Sequence, residues 1–202
     1  MKTMNLPPMS TRKPKYIHAI SDIECKNHLE QQFYPQEPNQ VWASDITYIR
    51  AGGKWYYLCV IIDLFSRKVI AWKISGRADV DLTISTFKLA YESRNYPEYL
   101  MFHSDRGCQY TAQSFRNLMD SCDVLQSFSK KGYPFDNAVL ESFFKYLKLE
   151  ETNRKTYATL QELQLSVFEY IEGFYNSKRP HGTLNYLTPN EKENLYFSSV
   201  NS

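Results

Sequence analysis

Three acids stand at positions where a carboxylate can do chemistry: Asp45, Asp105 and Glu141. Asp45 lies mid-segment in "VWASDITYIR", flanked by Trp42, Ile46 and Tyr48. A carboxylate inside a strand that is apolar on both sides is costly to bury alone, so it is expected to be salt-bridged, at a sheet edge or bound to a metal. Asp105 follows the apolar run "YLMF" and precedes Gly107 in "HSDRGCQY". That pattern is a strand ending in an acid and a tight turn, which either presents the acid to a ligand or simply closes the strand. Glu141 shares a helix face with Lys145 and Lys148, at i, i+4 and i+7. Taken alone, that face is a solvated surface with a Glu–Lys pair. Taken together, three carboxylates from a central strand, a neighbouring strand end and a nearby helix can share two divalent ions, and hard oxygen donors suit Mg²⁺ or Mn²⁺. Two such ions about 3.5–4 Å apart activate the attacking oxygen and stabilise the leaving one in phosphodiester chemistry. Lys145 and Lys148 then become phosphate contacts beside the acids, which explains why acids and bases share a face.

Elements able to position these acids are visible in the hydrophobic pattern. "VWASDITYIR" puts Ala43, Asp45 and Thr47 on one side and Trp42, Ile46 and Tyr48 on the other. After the turn "AGG", the nearly continuous apolar run "KWYYLCVIID" fits a central strand, and "RKVIAWKI" alternates as a third. Short turns make these three an antiparallel meander. Val80, Ile84, Phe87 and Tyr91 predict a helix that starts near Asp79. "PEYLMFHSD" is a short strand, residues 112–122 a helix, and "DVLQSF" a weaker fifth strand. Residues 136–150 are helical, with Val139, Leu140, Phe143, Phe144 and Leu147 as the apolar stripe, and residues 159–176 form a longer helix. This order implies an α/β fold: a mixed five-stranded sheet, three strands antiparallel and two parallel, with helices on both faces. Right-handed crossovers place the fourth strand beside the first, so Asp45 comes near Asp105. Residues 1–37 read as a linker or remnant N-terminal segment, 38–176 as the core and 177–202 as a turn-rich tail.

The chain has 202 residues, enough for one core of ordinary domain size, and 43% hydrophobic content means that it folds rather than stays disordered. A net charge of +2 neither demands nor forbids a nucleic-acid partner, because a local basic patch suffices. The longest apolar run, "WYYLCVII", is too short to span a membrane, and the N-terminus lacks a signal-peptide core; the expected location is cytoplasmic. Cys59 and Cys122 read as buried free thiols, and no CxxC pair occurs. His18, Cys25 and His28 lack a fourth ligand at sensible spacing, which argues against zinc. Asp63, before a turn, reads as an ordinary strand end satisfied by Ser66 and Arg67.

"WASDITYI", "HSDRGCQY" and "DNAVLESFFKYLKLE" resemble the three catalytic blocks of retrovirus-like insertion-sequence transposases (family three, second-reading-frame type), relatives of retroviral integrases. Thirty-five residues separate Asp105 from Glu141, as in that family's D…D-35-E pattern, and its basic residue seven after the Glu falls on Lys148. Further similarity covers "IIDLFSRKVIAW", "SKKGYPFDNAVLES" and "FYNSKRPHGTLNYLTP", so the resemblance spans about residues 38–190. Several spaced blocks in the right order are far more specific than one short motif. The resemblance implies a ribonuclease-H-like fold, with Asp45, Asp105 and Glu141 binding two Mg²⁺ (or Mn²⁺) ions. It implies nicking of DNA ends and strand transfer by the freed 3′-hydroxyl, without a covalent protein–DNA intermediate. It also implies DNA as partner, a homo-oligomer on that DNA, and a bacterial, nucleoid-associated setting.

Other residues carry two readings each. His103 and Ser104 orient Asp105, or His103 is satisfied by local hydrogen bonds. Asn137 caps the catalytic helix or touches DNA, capping being the better reading. Lys130 and Lys131, before Gly132, track a DNA backbone or sit in a solvated loop. Arg179, in "KRPH", contacts DNA or packs near the site. Family members carry helix-turn-helix segments before the catalytic domain, whereas this chain has only a basic stub with Arg12, Lys13 and Lys15. Two alternatives stay open: a ribonuclease-H-type nuclease, and a catalytically idle DNA-binding fragment.

Overall fold

The computed structural model describes residues 25–130 and 134–200. Its centre is a five-stranded sheet in the order β3-β2-β1-β4-β5. Strands β1 (Val41–Ala51), β2 (Lys54–Asp63) and β3 (Val69–Ser75) form the expected antiparallel meander. The β1–β2 hairpin turns on Gly52 and Gly53 at φ +54° and +75°, left-handed conformations that cost other residues energy. A Cβ on Gly52 would also fall 2.7 Å from the Ala158 carbonyl oxygen, so that position is closed to side chains twice over. Helix α1 (Val80–Ser93) starts where the sequence places it, with the Asp79 carboxylate accepting the Leu82 N–H.

Strand β4 (Met101–Ser104) then runs parallel to β1, and β5 (Leu125–Phe128) parallel to β4. Between them lie α2 (Cys108–Thr111) and α3 (Gln113–Ser121). The single helix expected over 112–122 is therefore preceded by an extra turn, and α2 breaks from α3 at Ala112, whose backbone is extended. Helix α4 (Ala138–Leu147) and α5 (Leu160–Phe168) each widen into a π-helical stretch, Lys148–Thr152 and Glu169–Tyr175.

The alternation of β1 and β2 splits the core in two. Val41, Ala43, Val60 and Ile62 pack with Leu140, Phe143 and Leu147 of α4 and Leu163 and Val167 of α5. Trp42 and Ile61 point the other way, toward Phe87 of α1, Phe102, and Phe115 and Met119 of α3. Two helical layers thus cover both faces of one sheet, which is why β2 can be apolar along both sides.

Beyond residue 177 the structure departs from the turn-rich tail expected there. Pro189–Val200 fold into a helix, α6. Its register is set by Glu193, which is buried and ion-paired to Arg94 at 2.6 Å and Lys68 at 3.1 Å. The weak hydrophobic periodicity of this segment conceals a helix held by a charge rather than an apolar stripe.

Asp63 is indeed a structural acid, but not through Ser66 or Arg67. Its two oxygens accept the N–H groups of Asn39 (2.7 Å) and Phe65 (2.8 Å), and burial raises its pKa to about 6 against those bonds. Cys59 is a buried free thiol as expected, whereas Cys122 is only half-buried. No helix among the described residues is long and apolar enough to cross a membrane.

Candidate active site

The sheet register brings the first two acids together. Ser44 pairs with Ser104, so the next residues in these parallel neighbours are Asp45 and Asp105. Because β4 ends at Ser104, β1 has no strand partner on that side, among the described residues, until Ala51 bridges Tyr157. Asp45 opens this unpaired stretch. Its side chain alternates with Ala43 and so lies on the face that α4 covers. Glu141 is exposed on α4, one residue past buried Leu140, with Lys145 exposed one turn on and Lys148 half-buried at the start of the π-helical stretch.

Electrostatics couple these positions. Burial pushes the Asp45 carboxyl up to about 7; the negative charges of Asp105 and Glu141 push the same way, while the Ile46 N–H and the Lys148 ammonium oppose them. Asp45 thus senses both other acids and the lysine. As the side chains lie, no three acid, His or Cys groups among the described residues surround a single ion point. Asp45 Oδ1 accepts its neighbour's N–H, from Ile46 at 2.7 Å, and Asp105 Oδ1 accepts the Gly107 N–H at 2.9 Å. The donor set suits a hard cation: three carboxylates, one of which burial and its two acidic neighbours make reluctant to ionise.

Gly107 has a different role from the tight turn expected of it. Its φ of −57° is open to any residue. What a side chain would disturb is its neighbours: a Cβ would sit 2.9 Å from Asp105 Oδ1 and 2.9 Å from Gln109 Oε1, so those side chains would have to shift. Gly107→Ala is therefore expected to displace the Asp105 carboxylate while leaving the fold intact. Metal-dependent DNA cleavage should fall about a hundredfold with a nearly unchanged melting temperature. Unchanged cleavage would remove Asp105 from the site.

The supporting residues sort differently from one another. His103 is fully buried, with Nδ1 at 2.9 Å from Ser127 Oγ and Nε2 at 3.1 Å from Ser129 Oγ. Burial keeps it neutral, near a pKa of 4. Both ring nitrogens thus tie β4 to β5, and His103 acts on Asp105 only through the strand it steadies. Asn137 precedes α4, but its side chain makes no capping hydrogen bond, and its buried Oδ1 has no partner among the described residues. The neighbour that the sequence did not single out, Asp136, organises this corner. Its carboxylate accepts the Lys130 N–H (2.8 Å) and the side-chain amides of Asn27 (2.9 Å) and Gln31 (2.9 Å). An Asp three residues before an apolar stripe is its only sequence signal, and that signal equally fits a cap.

Lys130 is exposed, while Lys131 and Gly132 lie outside the described residues. Arg179 is engaged: Nε and Nη2 both donate to the Glu150 carboxylate at 3.1–3.2 Å, and the guanidinium lies 4.1 Å from the Tyr146 ring centre. It packs the "KRPH" segment against the end of α4.

A five-stranded mixed sheet in this order, with helices on both faces, is the ribonuclease-H-like fold of integrase core domains. The chain belongs to the integrase core domain family, whose models match residues 35–134 and 122–189. It is 40% identical over 169 residues to the transposase InsF for insertion sequence IS3A of Escherichia coli (strain K12), an alignment covering 84% of this chain and 59% of that protein. It is 38% identical over 178 residues to the transposase for insertion sequence element IS904 of Lactococcus lactis subsp. lactis (strain IL1403), covering 88% of this chain and 70% of that one. Among solved structures, the HTLV-2 integrase catalytic core domain in complex with magnesium matches with a TM-score of 0.56 and 20% identity, over 78% of this chain and 98% of that one. The chain thus spans 59% of the length of the E. coli relative. The family resemblance read from the acid blocks is borne out, as is the fold.

Proposed function

We propose that this chain is the catalytic core of a DNA transposase, a polynucleotidyl transferase that nicks the ends of a mobile element and joins them to new DNA. The observation that carries this is the shared field of Asp45, Asp105, Glu141 and Lys148 at an open strand edge. Family membership and bacterial transposase relatives support it.

In this reading Asp45, Asp105 and Glu141 hold divalent metal ions, Mg²⁺ or Mn²⁺. When bound, such ions polarise the phosphodiester and stabilise the oxygens that enter and leave. The rest falls to the protein. Lys148 and Lys145 draw the scissile phosphate toward the acids, since both ammonium groups share the Glu141 face. Gly107 leaves Asp105 room to turn. His103 and its serines hold β4 so that Asp105 stays level with Asp45.

Two displacements follow. Water adds to phosphorus, the P–O3′ bond breaks, and the leaving oxygen takes a proton to become a 3′-hydroxyl. That hydroxyl then attacks a second phosphodiester, forming one P–O bond as another breaks, so bond number is conserved and no redox partner is needed. Two ends have to be processed together, so the core works as a homo-oligomer on DNA inside a bacterial cell.

The test combines the protein, Mn²⁺, a duplex ending in the terminal repeat that flanks its gene, and a supercoiled plasmid as target. Nicked and joined products are expected. Hydrolysis without joining would favour a ribonuclease-H-type nuclease, and DNA binding without either product an idle fragment.

A further inference from the structure

The β1–β2 hairpin carries two large aromatic side chains that the core does not use. Tyr48 is 58% exposed and Trp55 54% exposed. Their rings meet edge to face, 5.2 Å between centres. Each has a cation over it: Lys148 Nζ lies 5.0 Å from the Tyr48 ring centre and the Arg50 guanidinium 5.9 Å from that of Trp55. Both rings line a cleft of about 570 Å³ between the hairpin and the π-helical stretch after α4, with Lys148, Asn153 and Tyr157 on its far wall. Among the described residues, not one acidic side chain lines it. The cleft follows the open edge of β1, starting three residues after Asp45; Tyr48 and Trp55 stand on the sheet face opposite Asp45, and Lys148 at the edge belongs both to the cleft and to the charge environment of Asp45.

We propose that this cleft binds the unpaired end of a DNA strand, with Tyr48 and Trp55 stacking on its bases and Arg50 and Lys148 holding its phosphates. The chemistry selects that ligand. Exposed aromatic faces beside cations suit single-stranded nucleic acid, because stacking accepts any base and cations accept the backbone. A closed duplex offers no free base face except at its terminus, so the rings read unpairing rather than sequence. The inference rests on the proposed transposase function, and it adds the form of the substrate: an end whose last bases are splayed off the duplex before the acids act on it.

Binding in Ca²⁺ without catalysis tests it. The probes are a duplex with a four-nucleotide 3′ overhang bearing 2-aminopurine and the same duplex made blunt. Tyr48→Ala and Trp55→Ala are each expected to weaken overhang binding about tenfold, with blunt-duplex affinity changed less than about threefold. Quenching of 2-aminopurine should disappear with them, and Trp55→Phe and Tyr48→Phe should restore much of both. Lys148→Ala should weaken both DNAs, the overhang DNA more, because that lysine serves the cleft as well as the acids. Equal loss on both DNAs with a lower melting temperature would make the pair a hairpin brace and overturn the proposal, as would unchanged overhang binding. The acid substitutions are scored on cleavage, so either reading can fail while the other stands.

Discussion

Asp45→Asn is expected to give a protein that melts higher than the parent without metal and performs no DNA chemistry. The two effects share one cause. The folded-state pKa of Asp45 is about 7, against 3.8 for an ordinary Asp. A group whose folded pKa is raised favours folding while protonated, and that advantage is lost as pH rises through the interval between the two values. At pH 8 the metal-free protein therefore carries an ionised carboxylate at an energetic cost. Asn removes the charge and keeps an oxygen for the Ile46 N–H. Because Asp45 is only half-buried, the gain is set at about 2 kcal/mol rather than the larger figure the full shift implies. Scanning calorimetry at pH 8 reads it directly. Mg²⁺ should stabilise the parent by about 1.4 kcal/mol at ten times its dissociation constant, raising its melting temperature, and leave the variant unmoved. Loss of one acid should also lower nicking and joining at least about a thousandfold, several kcal/mol of transition-state stabilisation. Asp105→Asn and Glu141→Gln should do the same to activity. Strand joining that survived in any one of the three would refute the acid assignment.

The second large effect is on stability alone. Glu193→Gln should destabilise the protein by about 3 kcal/mol and lower its melting temperature by about 8 °C. Glu193 accepts from Arg94 and Ser66 at Oε1 and from Lys68 at Oε2, at 2.6, 2.9 and 3.1 Å. Gln cannot balance the Arg94 guanidinium, itself mostly buried, and leaves that charge unpaired. Burial works to raise the Glu193 pKa, but the hydrogen bond and charge of Arg94, with Lys68, outweigh it and hold the carboxyl below its ordinary value. A depressed acid stabilises the fold above its unfolded pKa and loses that contribution as pH falls through its folded value. The gap between parent and variant should therefore be widest at neutral pH and shrink below about pH 4.5. A gap that persisted undiminished at pH 3 would mean the charge is not what docks α6.

Much of this molecule is legible in one dimension because its elements are locally consistent. The apolar run of β2 reports a strand buried on both faces, and Leu140, Phe143 and Leu147 report which side of α4 faces the sheet. The apolar periods put Asp45 on a central strand, Asp105 just past the end of the strand that pairs with it, and Glu141 on a helix packed against the same sheet. Arg179, by contrast, reads equally as a DNA contact or as packing until Glu150, 29 positions away, is seen to hold it. His103 reads either as a helper of Asp105 or as a histidine satisfied by hydrogen bonds, and Ser127 and Ser129, which take both its nitrogens, are legible only in space. Helix α6 is hidden for the same reason, since its anchor pairs with residues about a hundred positions away.

From sequence alone come the strand and helix periods, the order of elements and the acids themselves, because these depend on neighbours along the chain. The tertiary structure alone decided the partners of each buried charge, the crowding of Gly107 against Asp105 and the exposure of Tyr48 and Trp55 beside the open edge of β1. Such features depend on distances through space, and a desolvated charge or ring takes whichever partner the packed fold brings within reach.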